Sequence, residues 1–202
     1  MGIITVDLFI TLDGVYQGPG GPDEDESGAF ALGGWQGHYL DDENGAAIGE
    51  GIDRMDALLL GRRTYDIFAG FWPYRGEEPI AVKLNAMPKF VVSRSLTDPS
   101  WAGTTALGDL DEVAALKDRF EDIHVIGSGD LARSLLEAGL VDRLNLFVYP
   151  VALGSGKRLF GGGFGVPAAF ALAQPPRAFP SGALHLVYEP AGPAVTGFDM
   201  SK

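Results

Sequence analysis

The sequence predicts an α/β fold, built as a single domain over residues 1–202. Three observations predict it. Short apolar, β-branched runs alternate with segments of helical period, the pattern of strands interleaved with helices. The last strand-like runs, "RLNLFVYPVAL" and "ALHLVYE", lie close together and add an antiparallel portion. Hydrophobic residues make up 46% of the chain and no internal repeat or break divides it, so one sizeable core is expected.

Residues 3–10, "IITVDLFI", read as a buried strand that ends in the turn-like "TLDG". From Gly18 to Gly37 glycine, proline and acids dominate without a period, which predicts a long loop. Ile48, Ile52 and Met55 then fall at i, i+4 and i+7 and predict a helix over residues 44–56. "ALLLG" is the next buried strand. Ile67, Phe68 and Phe71 share one side of a helix predicted over 64–71, stopped by Pro73, and residues 79–86 form another helical turn or two. "KFVVSR" is a strand, and Asp109 three residues before Glu112 opens a helix in the manner of a capping box. "IHVIG" is a strand, and "DLARSLLEAGL" a helix closed by Gly139 at C′.

The formal net charge of −12 argues against a polynucleotide partner, whose binding rests on cations neutralising phosphates. The absence of cysteine excludes disulfides, thiolate metal sites and cysteine nucleophiles. The N-terminus carries neither a basic n-region nor an uninterrupted apolar core, and no run reaches the length of a membrane span; a soluble, cytoplasmic protein with no membrane partner is expected. His38, His124 and His185 form no H-x-x-x-H pair, no metal site is expected, and His124 and His185 read as structural strand residues.

Three strand-end turns carry the candidate chemistry. In "IHVIGSGDLARSLL", Gly127 and Gly129 allow a phosphate to approach the backbone at a helix start; the same glycines equally serve a tight strand-to-helix turn. Gly127, Gly129 and Ala132 satisfy G-x-G-x-x-A, but the following strand supplies no ribose-binding acid. "LLLGRRTY" repeats the layout with Arg62 and Arg63, and "FVVSRS" places Ser93 and Arg94 after a third strand. Guanidinium forks match phosphate oxygens, and turns after separate strands can converge on one extended ligand. Several arginines favour a 2′-phosphate, hence NADPH. "VALGSGKRLF" departs from a phosphate loop at Val151 and Arg158, although Lys157 and Arg158 could receive a phosphorylated substrate or simply flank a hairpin turn. In "HYLDDENG", Asp41, Asp42 and Glu43 are candidate proton donors to a heterocycle, or helix-capping acids.

These stretches, taken in order with "ITLDG", resemble the dihydrofolate reductase superfamily, and more closely its bacterial branch related to the C-terminal reductase domain of riboflavin biosynthesis. The resemblance spans nearly the whole chain. It implies a three-layer fold with a mixed, mostly parallel sheet of about eight strands flanked by helices, NADPH as hydride donor, and often a homodimer. It carries a first cofactor turn onto Gly61, Arg62, Arg63 and Thr64, a 2′-phosphate turn onto Ser93 and Arg94, and a pyrophosphate turn onto Gly127, Ser128 and Gly129, with Asp130 counted beside them. Leu12, Asp13 and Gly14 match the turn near nicotinamide and substrate, and Asp13 joins Asp41, Asp42 and Glu43 as a catalytic candidate. Lys157 and Arg158 lie where riboflavin-pathway relatives meet a ribose phosphate. The expectation is an NADPH-dependent reductase of a pterin-like or pyrimidine-like heterocycle; the alternatives are a non-catalytic nucleotide- or ligand-binding protein of the same fold, and a flavin-binding reductase.

Overall fold

The computed structural model describes residues 1–161, 165 and 167–199, so the remaining seven residues of the expected 1–202 domain lie outside the described set. Among the described residues nine strands form one sheet: β1 (Ile3–Thr11), β2 (Ala57–Gly61), β3 (Lys89–Val92), β4 (Thr104–Leu107), β5 (Asp122–Ile126), β6 (Arg143–Tyr149), β7 (Ala168–Leu172), β8 (Arg177–Ala178) and β9 (Leu184–Pro193). The spatial order is β4-β3-β2-β5-β1-β6-β9-β7, with β8 beside β9. The six strands from β4 to β6 are parallel; β9 runs against β6, β7 and β8. The mixed, mostly parallel sheet is therefore as expected, with one strand more.

Helices α1 (Asp42–Arg54), α2 (Arg62–Ala69), α3 (Pro79–Ala86), α4 (Leu110–Leu116) and α5 (Gly129–Glu137) connect the strands. Side chains alternate across the strands and split the core into two faces. Ile4, Val6 and Leu8 of β1 pack with Val113 and Leu116 of α4 and with Leu131 and Leu135 of α5. The opposite face of the sheet holds two apolar clusters. Ile52, Met55, Leu58, Leu60, Tyr65 and Leu84 form one; Val15, Phe30, Trp35, Ala47, Phe147 and Tyr149 form the other.

Several local expectations hold with physical detail. Asp109 accepts from Glu112 N at 3.0 Å while Glu112 accepts from Gly108 N at 2.7 Å, capping α4 reciprocally. Gly139, at φ +67°, lets Leu140 N reach Leu135 O at 2.9 Å and so closes α5. Others shift. Helix α2 begins two residues before the predicted Thr64, because Gly61 in extended backbone already serves as its N-cap, so Arg62 and Arg63 lie in the first helical turn. Strands β4, β7 and β8 are additions; each is short or exposed, and alternation over so few residues carries little sequence signal.

The long loop is packed against the body. The Gln17 carboxamide donates to Asp25 O and Ser27 O at 2.9 and 2.8 Å and accepts from Lys157 N at 3.1 Å. The Trp35 indole donates to Gln17 O at 2.9 Å, and Phe30 and Trp35 are buried. His124 is structural as expected, but as a charged residue: its Nδ1 lies 2.6 Å from Asp7 and its Nε2 3.0 Å from Asp122. Burial alone would lower its pKa, yet the two carboxylates outweigh burial and push it up to about 9.

Candidate functional site at the carboxyl edge of the sheet

Because β3, β2, β5, β1 and β6 are parallel neighbours, the turns that follow them share one edge of the sheet. Two of these turns are tied directly together. Gly61 N donates to Ser128 Oγ at 2.9 Å, and Ser128 N donates to Thr64 Oγ1 at 3.1 Å. Gly127 and Ser128 both take left-handed backbone, at φ +60° and +55°, which points the start of α5 toward α2. The third turn, Ser93–Arg94, is folded by Ser93 Oγ accepting from Leu96 N at 3.2 Å. Arg94 is exposed and has no ion-pair or hydrogen-bond partner among the described residues.

The other cations on this edge are engaged. Arg62 donates from Nε to both oxygens of Asp66 at 2.9 and 3.0 Å along its own helix. Arg63 and Lys157, far apart in sequence, converge on the single carboxylate of Asp25 at 3.1 and 2.5 Å. Burial would raise the pKa of Asp25, but Lys157 and the Ser27 groups overcome this and hold it down to about 2. Tyr16 lies against the start of α5: a Cβ at Gly129 would come within 2.1 Å of its ring. Burial, with Asp130 nearby, pushes the Tyr16 hydroxyl up to about 12, so it is neutral at physiological pH. Gly129 thus gives room to an aromatic ring, a role its place in a phosphate-type motif did not announce.

Asp13 works as a staple. It accepts from Thr11 Oγ1 at 2.5 Å, from Leu153 N and Gly154 N at 3.1 and 2.8 Å, and from Arg158 at 2.9 Å. The Thr11 hydroxyl, the two amides and Arg158 keep its carboxyl well below the usual range, despite some desolvation. Arg158 also donates to Asp13 O at 2.8 Å, so Lys157 and Arg158 face different carboxylates. Leu12 and Gly14, the rest of that turn, flank the staple, and Leu12 is exposed.

Of the acids before α1, Asp41 is its N-cap, accepting from Asn44 N and from Ser181 N, both at 2.8 Å. These backbone donors lower its pKa. Asp42 and Glu43 are exposed in the first turn. The buried polar side chain at this helix start is instead Asn44, fully enclosed. Its Oδ1 accepts from the Tyr149 hydroxyl at 3.4 Å, and that hydroxyl accepts from Gln36 at 2.8 Å. Asn44 Nδ2 has no partner among the described residues. Sequence reasoning missed this cluster, although a signal existed: Asn44 lies in helical phase with Ala47, Ile48 and Ile52, on the buried stripe. The neighbouring charges drew attention away.

A family model, the RibD C-terminal domain, matches residues 3–171. The chain belongs to the RibD C-terminal domain family. Among curated proteins, the uncharacterized protein YyaP of Bacillus subtilis (strain 168) is 29% identical over 164 residues, covering 78% of this chain and 79% of the relative. Among solved structures, the "Putative riboflavin biosynthesis protein" of Shewanella sp. PV-4 superposes with a TM-score of 0.67 at 19% identity, covering 93% of this chain and 98% of that one. Dihydrofolate reductase from Enterococcus faecalis, complexed with NADP(H) and RAB-propyl, gives a TM-score of 0.58 at 17% identity, with 94% and 97% coverage. A pyrimidine reductase-like protein from Corynebacterium diphtheriae gives 0.57 at 13% identity, with 94% and 92% coverage. The RibD C-terminal fold is thus a reductase-type fold, with a dihydrofolate reductase-like sheet. No helix among the described residues is long and apolar enough to cross a membrane.

Proposed function

We propose that the protein is an NADPH-dependent reductase of a small pterin-like or pyrimidine-like heterocycle. The observation that carries this reading is the convergence of Arg63 and Lys157 on one rim carboxylate, beside two turns hydrogen-bonded to each other. A pair of cations already gathered round one anion is chemically suited to a phosphate, which would take the place of Asp25. Arg94, without a partner among the described residues, suits a 2′-phosphate, and the first amides of α5 favour a further phosphate. NADPH would supply the hydride.

The chain's own groups would bind and orient the heterocycle at the start of α1. Asn44 Nδ2, the donor left without a partner there, matches a ring C=O of a pterin or pyrimidine edge. The Tyr149 hydroxyl, kept protonated because burial raises its pKa, holds Asn44 in place together with Gln36. No carboxyl hydrogen-bonds into this cluster among the described residues, so polarisation of the ring would come from neutral hydrogen-bond donors, with solvent as the source of the proton.

The test is a titration of the full chain with NADPH and NADH, followed by nicotinamide fluorescence, then by loss of nicotinamide absorbance in the presence of pterins and pyrimidines. Tight NADPH binding with turnover is expected; unchanged fluorescence at saturating NADPH refutes the reading. The amide at position 44 favours a second reading, a ligand-binding protein of the same fold, which predicts NADPH binding without oxidation. The same proposal takes the chain as one domain and one protomer of a homodimer, read out by light scattering.

A further inference from the structure

The α1-facing side of the sheet carries a polar strip at the edge opposite the rim. Thr5, His124 and Asn145 are each the third residue of a parallel strand, whereas Gly61 ends β2 and Gly127 follows the last residue of β5. The strip is continuous across the ladder: Thr5 pairs with His124 and with Arg143, Asp7 with Asn145, and Phe147 with His185. Beside it is a cavity of about 460 Å³, whose walls include Arg54, Arg143, Asn145 and His185. That volume falls in the range of small-molecule sites, roughly 300–1,000 Å³.

Six buried polar atoms on these walls have no hydrogen-bond partner among the described residues; His124 Nε2 and Asp122 Oδ1 face each other as an ion pair at 3.0 Å, which leaves Arg143 Nε, Asn145 Oδ1 and both nitrogens of His185. Asn145 and His185 are 5% and 7% exposed, and leaving such atoms unsatisfied is costly. The other end of Asn145 is fixed, with Nδ2 donating to Asp7 at 2.9 Å. His185 is fixed too, stacked on Phe147 at 4.3 Å and 6°. Burial and Arg177 hold it neutral, so it offers one donor and one acceptor.

The charges leave a positive excess. Glu50 is paired with Arg177 at 3.3 Å, while His124 shares its one charge between Asp7 and Asp122, so part of the Asp122 charge is left to face Arg54 and Arg143. His124 foremost, and then these two arginines, lower the pKa of Asp122. Arg143 has only a long, exposed contact to Glu189 at 3.5 Å, and Arg54 has no ion-pair partner among the described residues. Water satisfies orphan amides and imidazoles, but it does not neutralise the cationic charge that Arg54 and Arg143 keep beyond the share offset by Asp122. In a chain of net charge −12 such an excess is unusual.

We propose that this cavity is a second ligand site, which binds a small organic anion bearing a hydroxyl or amino group: the anionic end on Arg54 and Arg143, the donor on Asn145 Oδ1 and His185. The anion is a phosphate or a carboxylate. The site is separate from the rim, so its occupancy does not depend on the cofactor reading above.

The experiment is calorimetric titration of the full chain with glycerol 3-phosphate and, separately, with glycerate, each with and without NADPH. Saturable binding of at least one probe is expected, and the preferred probe tells phosphate from carboxylate. Arg54→Gln and Arg143→Gln should each weaken it by about tenfold or more, the effect of losing one hydrogen bond to a charged group. Both positions are solvent-accessible, and unchanged thermal unfolding would show that the variants fold. Absence of binding by both probes, binding unaffected by both substitutions, or displacement of the probe by NADPH would each overturn the proposal.

Discussion

Raising the pH from 6.5 to 8 should destabilise the protein by about 2 kcal/mol through His124 alone. Its folded pKa of about 9 stands above the ordinary 6.5, so the pairing with Asp7 and Asp122 contributes fully below pH 6.5 and is lost as pH rises through 9. Each pH unit inside that interval removes about 1.4 kcal/mol, giving about 2 kcal/mol by pH 8 and about 3 kcal/mol by pH 9. Solvent screening takes little from this, because His124 is only 2% exposed. Above pH 8 a second group intervenes. Burial lowers Lys89 to about 8, and a depressed lysine makes stability rise with pH above that value, masking the histidine. His185, lowered by burial, acts only below its ordinary value, and the raised tyrosines Tyr16 and Tyr149 act only above theirs. The assay is urea unfolding at half-unit steps across the window. Asp122→Asn, which removes one partner at a half-buried site, should flatten the slope. A wild-type midpoint that does not move between pH 6.5 and 8 refutes the charge assignment.

Four further outcomes are expected. Gly129→Ala should cost roughly 1–3 kcal/mol, since its Cβ would stand 2.1 Å from the Tyr16 ring, and Tyr16→Ala should recover much of that loss in a double-mutant cycle by chemical unfolding. Tyr149→Phe should cost about 1–2 kcal/mol, because Gln36 is left without its buried acceptor; a thermal-unfolding change too small to measure contradicts this. Arg94→Ala should weaken NADPH about tenfold and leave NADH nearly unchanged, as measured by fluorescence titration. Asp25→Asn should tighten NADPH by about fivefold or more by removing an internal competitor, and weaker binding would show that Asp25 serves the ligand instead.

The sheet's parallel strands were legible because both their faces are buried: "IITVDLFI", "ALLLG" and "IHVIG" are apolar or β-branched almost throughout. The added strands were not, since β4 is four residues with half-exposed threonines and β8 only two. Gly61, Gly127 and Ser93 were legible as strand-end turns, and their shared edge follows from parallel order. What composition could not reveal is pairing. That Asp25 of the acidic loop meets Arg63 and Lys157, or that Asp13 meets Arg158, depends on tertiary approach between segments without a common period. Asn44 was hidden differently, as an uncharged residue inside a run of acids, where the eye follows charge and the fold follows phase.

The acidity of the chain and the arginines of the rim belong to one arrangement. Three of the five rim and flanking cations sit against aspartates from the two segments that follow β1: Arg63 and Lys157 against Asp25, and Arg158 against Asp13. An anionic ligand at this edge must therefore compete with a carboxylate already held down to about 2, which is ionised at any physiological pH. A ligand bringing one charge gains little by such an exchange. One bringing several phosphates gains the cations together with the unpaired Arg94 and the α5 amides, so the internal aspartate sets a threshold that favours multiply charged ligands over single anions. The cavity at the opposite edge is lined by Asp122, whose carboxylate is already shared with His124, so competition for Arg54 and Arg143 is weaker there, and that contrast is the physical reason to expect a different, smaller anion.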